Sequence, residues 1–260
     1  FFMKWFANFR NVKYILIAIA AVIAAASLLV SNSLVKDLKA EEEKKMEKEV
    51  LKLAGKFFNG TDCSAEQPVC AGAPQPKQFD KTLNKRNHQA NCMIGGLAPS
   101  LYQEKERLAT VLLCNILGGP ASNSILNSIL REKNGWVYGV ECTYTQFADT
   151  GMVAISLGCD KVNLEKCNMA MDRGIGKLQN ELLTDRKMKA AKKQLLGQLA
   201  ISSDNGETQC LSMGKGLIAY GKVSGSKDNR ALVDAITADD VQKMAQTIFA
   251  AERLSKLTYL

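Results

Sequence analysis

One histidine, His88, stands in a chain of 260 residues. Hydrolytic zinc centres combine two or three neutral imidazoles with a carboxylate and keep one position open for water. A single imidazole cannot supply that set, so no such centre is built from this chain alone. His88, beside Gln89 at the start of a strand-like run, reads as a structural or surface imidazole rather than a ligand. The eight cysteines (Cys63, Cys70, Cys92, Cys114, Cys142, Cys159, Cys167 and Cys210) form no CxxC pair. Most lie in apolar stretches, where a thiol behaves as a small hydrophobe, and Cys142, Cys159 and Cys167 are too dispersed to suggest a site. Cys63 and Cys70, in a polar segment, are the one local disulfide candidate in an oxidising compartment. Gly118-Gly119-Pro120 lacks the lysine and the strand–loop–helix order of a phosphate loop and reads as a helix stop.

Composition narrows the class. At 47% hydrophobic and 23% charged, the chain has globular rather than disordered character, and 19 Gly with 5 Pro exclude collagen-like and proline-rich classes. The net charge of +8 is spread among alternating acids, as in Glu41 to Glu49 and Glu104 to Arg107. No zinc-finger spacing or RNA-binding signature accompanies it, so a mixed solvated surface is expected and no nucleic-acid partner.

Three segments follow from the hydropathy. Residues 1–49 form a membrane anchor or signal segment with a charged helix. Tyr14 to Val30 is an uncharged run of about 17 residues, near the lower limit for a spanning helix, with Lys4, Arg10 and Lys13 before it. The charge asymmetry places the N-terminus in the cytoplasm and the remainder across the membrane. Ala24-Ala25-Ala26 offers the alternative of a cleaved signal and a secreted or periplasmic product. Met3 is the first methionine and the expected start. The run from Lys4 to Leu38 resembles the first span of bacterial membrane sensor kinases, which suggests a join near residue 49. Residues 50–85 read as a hinge helix, amphipathic to Phe58 and stopped at Asn59-Gly60, followed by a linker with Pro68, Pro74 and Pro76.

Residues 86–260 carry the tighter pattern. Strands are expected at His88–Leu97, Trp136–Phe147, Met152–Gly158 and Leu254–Leu260, with Ala148 to Gly151 as a hairpin connection. Helices are expected at Tyr102–Leu117, Ser122–Lys133, Leu164–Leu183, Thr184–Ser202, Glu207–Gly221 and Thr237–Ala250. The last opens on a capping box, Thr237 with Asp240. Strands cluster early and helices late, which gives an α+β layer with an antiparallel sheet packed against helices.

Leu117 to Cys167 (LGGPASNSILNSILREKNGWVYGVECTYTQFADTGMVAISLGCDKVNLEKC) resembles the C-terminal half of M16, insulinase/pitrilysin-type, zinc peptidases. Lys192 to Val223 and Ile236 to Phe249 continue the likeness, VLKLAGKFF looks like the end of a preceding half, and HQANCMIGGLA like the first strand of this one. Together these stretches span Val50 to Leu260. The resemblance implies a peptidase of two similar α+β halves closing like a clamshell. Zinc sits in the first half, on an HxxEH helix and a distant glutamate. No HxxEH occurs here, so the implied role is the non-catalytic half. It has no catalytic residue, metal ligand or cofactor of its own, and zinc is expected only in a partner bearing HxxEH.

The same resemblance assigns substrate binding to Arg131 and Tyr138, in LREKNGWVY. A guanidinium fork and a phenol can hold peptide carbonyls or a C-terminal carboxylate, and the phenol can steady a developing oxyanion. Against this stands an arginine paired with Glu132 or Glu141 beside a half-buried tyrosine. Relatives usually carry an arginine where this chain has Ile125. The competing reading is an inactive membrane-tethered interaction module. A sensor-kinase function lacks both a phosphoacceptor helix around His88 and an ATP-lid glycine pattern.

Overall fold

The computed structural model describes residues 32–58 and 76–260. They fall in two units divided at Pro68–Val69, each considered by itself. The first contributes helix α1 (Asn32–Phe58), which joins the expected charged helix to the expected hinge helix and keeps Met46, Val50, Leu51 and Leu53 exposed. The expected anchor or signal, Tyr14 to Val30, lies outside the described residues, as do Asn59-Gly60, Cys63 and Cys70. Among the described residues no helix is long and apolar enough to cross a membrane.

The second unit is a five-stranded sheet with helices on one face. Its strands are β1 (Asp80–Leu83), β2 (Gln89–Ala98), β3 (Val137–Gln146), β4 (Gly151–Asp160) and β5 (Leu254–Tyr259), in the order β1-β5-β2-β4-β3. The α+β expectation holds at this level, with one correction. The sheet is mixed, because β1 pairs parallel to β5 while every other pairing is antiparallel. β1 lies in the stretch expected as linker. Its four residues are all exposed, and backbone bonds hold its ends: Lys256 N–H donates to Phe79 O at 2.8 Å and Leu260 N–H to Leu83 O at 2.9 Å.

Alternation sets the two faces. Ala90, Cys92 and Ile94 of β2, Val140 and Cys142 of β3, and Val153, Ile155 and Leu157 of β4 are buried on one side. The helices that cover them are α2 (Glu104–Gly118), α3 (Leu164–Asn180) and α7 (Ala238–Ile248), with α4 (Asp185–Ser203) packed on α2. Leu112, Leu113 and Leu117 of α2, Met171 of α3 and Ile248 of α7 are fully buried against them. Polar bridges fix helix to helix: Asn115 Nδ2 donates to Gln198 Oε1 at 2.6 Å, and Gln179 Nε2 to Phe249 O at 3.0 Å. Helices α5 (Gly206–Tyr220) and α6 (Ser226–Ala235) complete the unit; α6 was not expected from sequence. The Arg107 guanidinium sits 5.2 Å from the Tyr220 ring and ties α2 to α5.

Helix α7 starts on the expected capping box. Asp240 N–H donates to Thr237 Oγ1 at 3.1 Å, and Thr237 N–H to Asp240 Oδ2 at 3.0 Å. Lys105 Nζ of α2 reaches Asp240 Oδ1 at 2.8 Å. Partial burial pushes the Asp240 carboxyl up, but Lys105 and the Thr237 hydroxyl and N–H together outweigh it and hold the group at about 2. A depressed carboxyl stabilises the fold above its unfolded value and loses that contribution as pH falls from 3.8 through about 2. Thr237→Ala should cost about 1 kcal/mol in denaturant unfolding at neutral pH. Asp240→Asn should flatten the fall in stability between about pH 4 and pH 2. An unaltered acid limb in Asp240→Asn would remove Asp240 from this account.

Candidate functional site

The uncovered face of the sheet is built of cross-strand rows. One row reads Gly139, Gly158, Asn91 and Tyr259 from β3 to β5; the next reads Glu141, Ser156, Met93 and Leu257. Gly139, Gly158 and Ser156 keep the β3–β4 side low around Glu141, while Asn91, Tyr259, Met93 and Leu257 are larger on the β2–β5 side. The result is a cavity of about 650 Å³ over the sheet, lined also by Gly118, Gly119, Pro120, Asn127 and Arg131. Its volume falls in the range of about 300–1,000 Å³ typical of ligand sites.

The loop from α2 lies hard against β3. A Cβ on Gly118 would stand 2.8 Å from Cys142 Cβ, so only glycine lets the helix end approach this strand. Asn127, 8% exposed, donates to Gly119 O at 3.0 Å and to Ser124 Oγ at 2.9 Å. It thereby joins the loop to the helix that carries Arg131.

That helix is irregular. The expected helix over Ser122–Lys133 is present, but Asn127–Lys133 is wound as a π-helix. Leu126 and Leu130 anchor its inner side in the core, and Arg131 points outward and lines the cavity. Among the described residues the Arg131 guanidinium makes no ion pair, so neither Glu132 nor Glu141 neutralises it. Gly135, at φ +59°, then turns the chain into β3, a conformation that strains any residue with a Cβ. Trp136 N–H donates back to Leu130 O at 2.9 Å to close the turn.

Tyr138 also sits on an irregularity. The β3–β4 register passes from Val137↔Cys159 to Gly139↔Gly158, so Tyr138 is the extra residue of a β-bulge. Its ring is 56% exposed and its hydroxyl donates to Asp160 Oδ1 at 2.6 Å. That hydrogen bond, with desolvation and the nearby carboxylate charge, raises the phenol pKa above its ordinary value. Arg131 thus borders the cavity, while Tyr138 is outside its lining and engaged with Asp160. Ile125, expected to replace a cation of the resembled family, packs half-buried on the core beside Gly174 of α3.

His88 is exposed one residue before β2. Among the described residues no group of three His, Cys, Asp or Glu side chains is placed to hold a metal ion. Cys92, Cys114, Cys142, Cys159 and Cys167 are buried free thiols. Burial pushes the Cys159 thiol up to about 12 and raises Cys92 and Cys167 as well, the opposite of what a nucleophile needs. Iodoacetamide on the native protein, read by peptide mass mapping, should modify exposed Cys210 and spare these five. Rapid labelling of Cys159 would contradict the packing described. Sequence reading missed Asp160 and took Glu141 only as a possible partner of Arg131; alternation along β3 could have set Glu141 on the open face, but not beside Ser156.

Comparison with known proteins agrees with this geometry. The family model described as the Peptidase M16 inactive domain matches residues 46–195. The chain is 28% identical over 170 residues to an uncharacterised zinc protease of Rickettsia felis, covering 65% of this chain and 40% of that protein. It is 23% identical over 172 residues to an uncharacterised zinc protease of Bacillus subtilis, covering 66% and 41%. The chain therefore spans less than half the length of these curated relatives. In fold it resembles a protease from Helicobacter pylori with a TM-score of 0.70 at 15% identity, over 82% of this chain and 52% of that one. A peptidase M16 inactive domain from Pseudomonas fluorescens superposes with a TM-score of 0.64 at 20% identity, over 72% and 45%. The match of the M16 inactive-domain model over more than half the chain places this protein in the M16 peptidase family.

Proposed function

We propose that this chain is the peptide-holding, non-catalytic half of an M16-type zinc peptidase and works with a separate zinc-bearing half that carries HxxEH. The observation that carries the proposal is the open sheet face: a cavity beside an unpaired Arg131, in a chain with too few imidazoles to cut a peptide bond. Zinc in the partner would supply the activated water. This chain's residues would supply grip. The Arg131 fork would take a peptide carbonyl or a terminal carboxylate. The Tyr138 phenol, oriented by Asp160, would turn its O–H toward a substrate oxygen once peptide displaces the carboxylate. In this proposal Tyr14 to Val30 anchors the domain, or directs it by cleavage, to the far side of the membrane.

Co-expression with an HxxEH-bearing half tests this directly. Cleavage of a quenched fluorescent peptide should appear only in the mixture. Arg131→Ala should lower kcat/KM on the order of 10- to 100-fold, the loss of a hydrogen bond to a charged group, and Tyr138→Phe about 5- to 10-fold. Association without cleavage would favour the interaction-module reading, and absence of association would refute both. The purified chain alone should hold less than stoichiometric zinc by elemental analysis; one tightly held zinc per chain would contradict the assignment.

A further inference from the structure

The cavity over the sheet contains two charges of opposite sign that do not neutralise one another. Arg131 lies beside the α2 loop, and Glu141 projects from β3 in the second cross-strand row. Both line the same space, yet no ion pair joins them. Among the described residues the Glu141 carboxylate accepts a 3.4 Å hydrogen bond from Ser156 Oγ of β4. Among the described residues no lysine or arginine pairs with it, although the chain carries 34 basic side chains. Its neighbours in the row, Ser156 and Met93, bring no charge. Gly139, one row away, leaves open space beside it, since a Cβ there would meet nothing within 4 Å, whereas Gly158 is covered by Asn91 Oδ1, 3.3 Å from where its Cβ would stand.

A carboxylate left without an ion pair in a concave site, with the open space over Gly139 next to it, is complementary to a cationic side chain lying across the strands. Lysine and arginine suit the place because their apolar stems can rest on Met93 and Leu257 while the charged head reaches Glu141. We propose that Glu141 is a specificity-determining residue, which selects peptides carrying a lysine or arginine in the segment bound over β3 and β4. The inference rests on the peptide-holding role proposed above and adds the class of peptide to it. Arg131 contributes affinity for the peptide backbone or terminus, and Glu141 distinguishes among side chains.

The test uses the full chain, with and without the zinc-bearing half, and fluorescein-labelled peptides about as long as β3 and β4, which have 10 residues each. In each set one position is walked along an otherwise uncharged sequence as lysine, norleucine or glutamate, and binding is read by fluorescence anisotropy. The best lysine peptide should bind about 5-fold more tightly than its norleucine twin, the effect of one partly exposed charge pair. High salt should shrink that ratio toward unity. Glu141→Gln should abolish the difference while leaving norleucine-peptide affinity unchanged, and Glu141→Lys should shift preference to the glutamate peptide. Glu141 is exposed, so both variants should retain the parent melting temperature, which circular dichroism checks. Equal binding of all three peptides, or a lysine preference that survives Glu141→Gln, would overturn the role of Glu141 and leave the peptide-holding role standing. Failure of every peptide to bind, alone or with the zinc-bearing half, would overturn both.

Discussion

Helices cover one face of the sheet and leave the other open, and the site follows from that asymmetry. On the covered face, Ile94, Val153, Ile155 and Leu157 meet Leu112, Leu113, Leu117, Met171 and Ile248 in a continuous apolar contact. Each buried leucine-sized side chain contributes about 1.5–3 kcal/mol, and truncating one to alanine costs about 2–5 kcal/mol. The open face has no comparable packing to satisfy. Gly139, Gly158 and Ser156 can therefore stand where a core would demand bulk, and the space above them becomes a cavity.

Local regularity gives way where the site residues lie. Arg131 is on a π-helical segment and Tyr138 on a β-bulge, separated by the positive-φ turn at Gly135. Each departure costs backbone free energy, and each is pinned on its inner side by the core: Leu126 and Leu130 under the π-helix, Val137 and Val140 around the bulge. The rigid covered face thus holds irregular backbone that aims two polar side chains outward. Asn127 extends the same support to the Gly118–Pro120 loop.

Much of this was legible in the residues, for physical reasons that also mark where reading stops. β2 shows the buried–exposed alternation that a half-buried strand must show, and Thr237 with Asp240 announces the start of α7 by side-chain chemistry alone. β1 was not legible, because Asp80–Leu83 buries nothing and owes its place to hydrogen bonds with β5, 176 residues distant. The parallel pairing was hidden for the same reason. α6, ten residues rich in polar side chains, carries too short a pattern to register. Arg131 and Tyr138 came from family resemblance, not from spacing. The Tyr138–Asp160 bond and the row that sets Glu141 beside Ser156 depend on the β3–β4 register, and a bulge shifts that register by one residue without any mark in the sequence.

The central claim is that the open sheet face holds peptide. Hydrogen–deuterium exchange reports on it most directly, using the chain assembled with a zinc-bearing half whose HxxEH glutamate is changed to glutamine, so that bound peptide is not cut. Added peptide should slow exchange in β3 and β4 around Gly139 to Thr143 and Ser156 to Gly158, and in the Gly118–Arg131 segment, while α3, α4 and α7 keep their rates. Protection confined to those helices, or none anywhere in residues 76–260, would contradict the account.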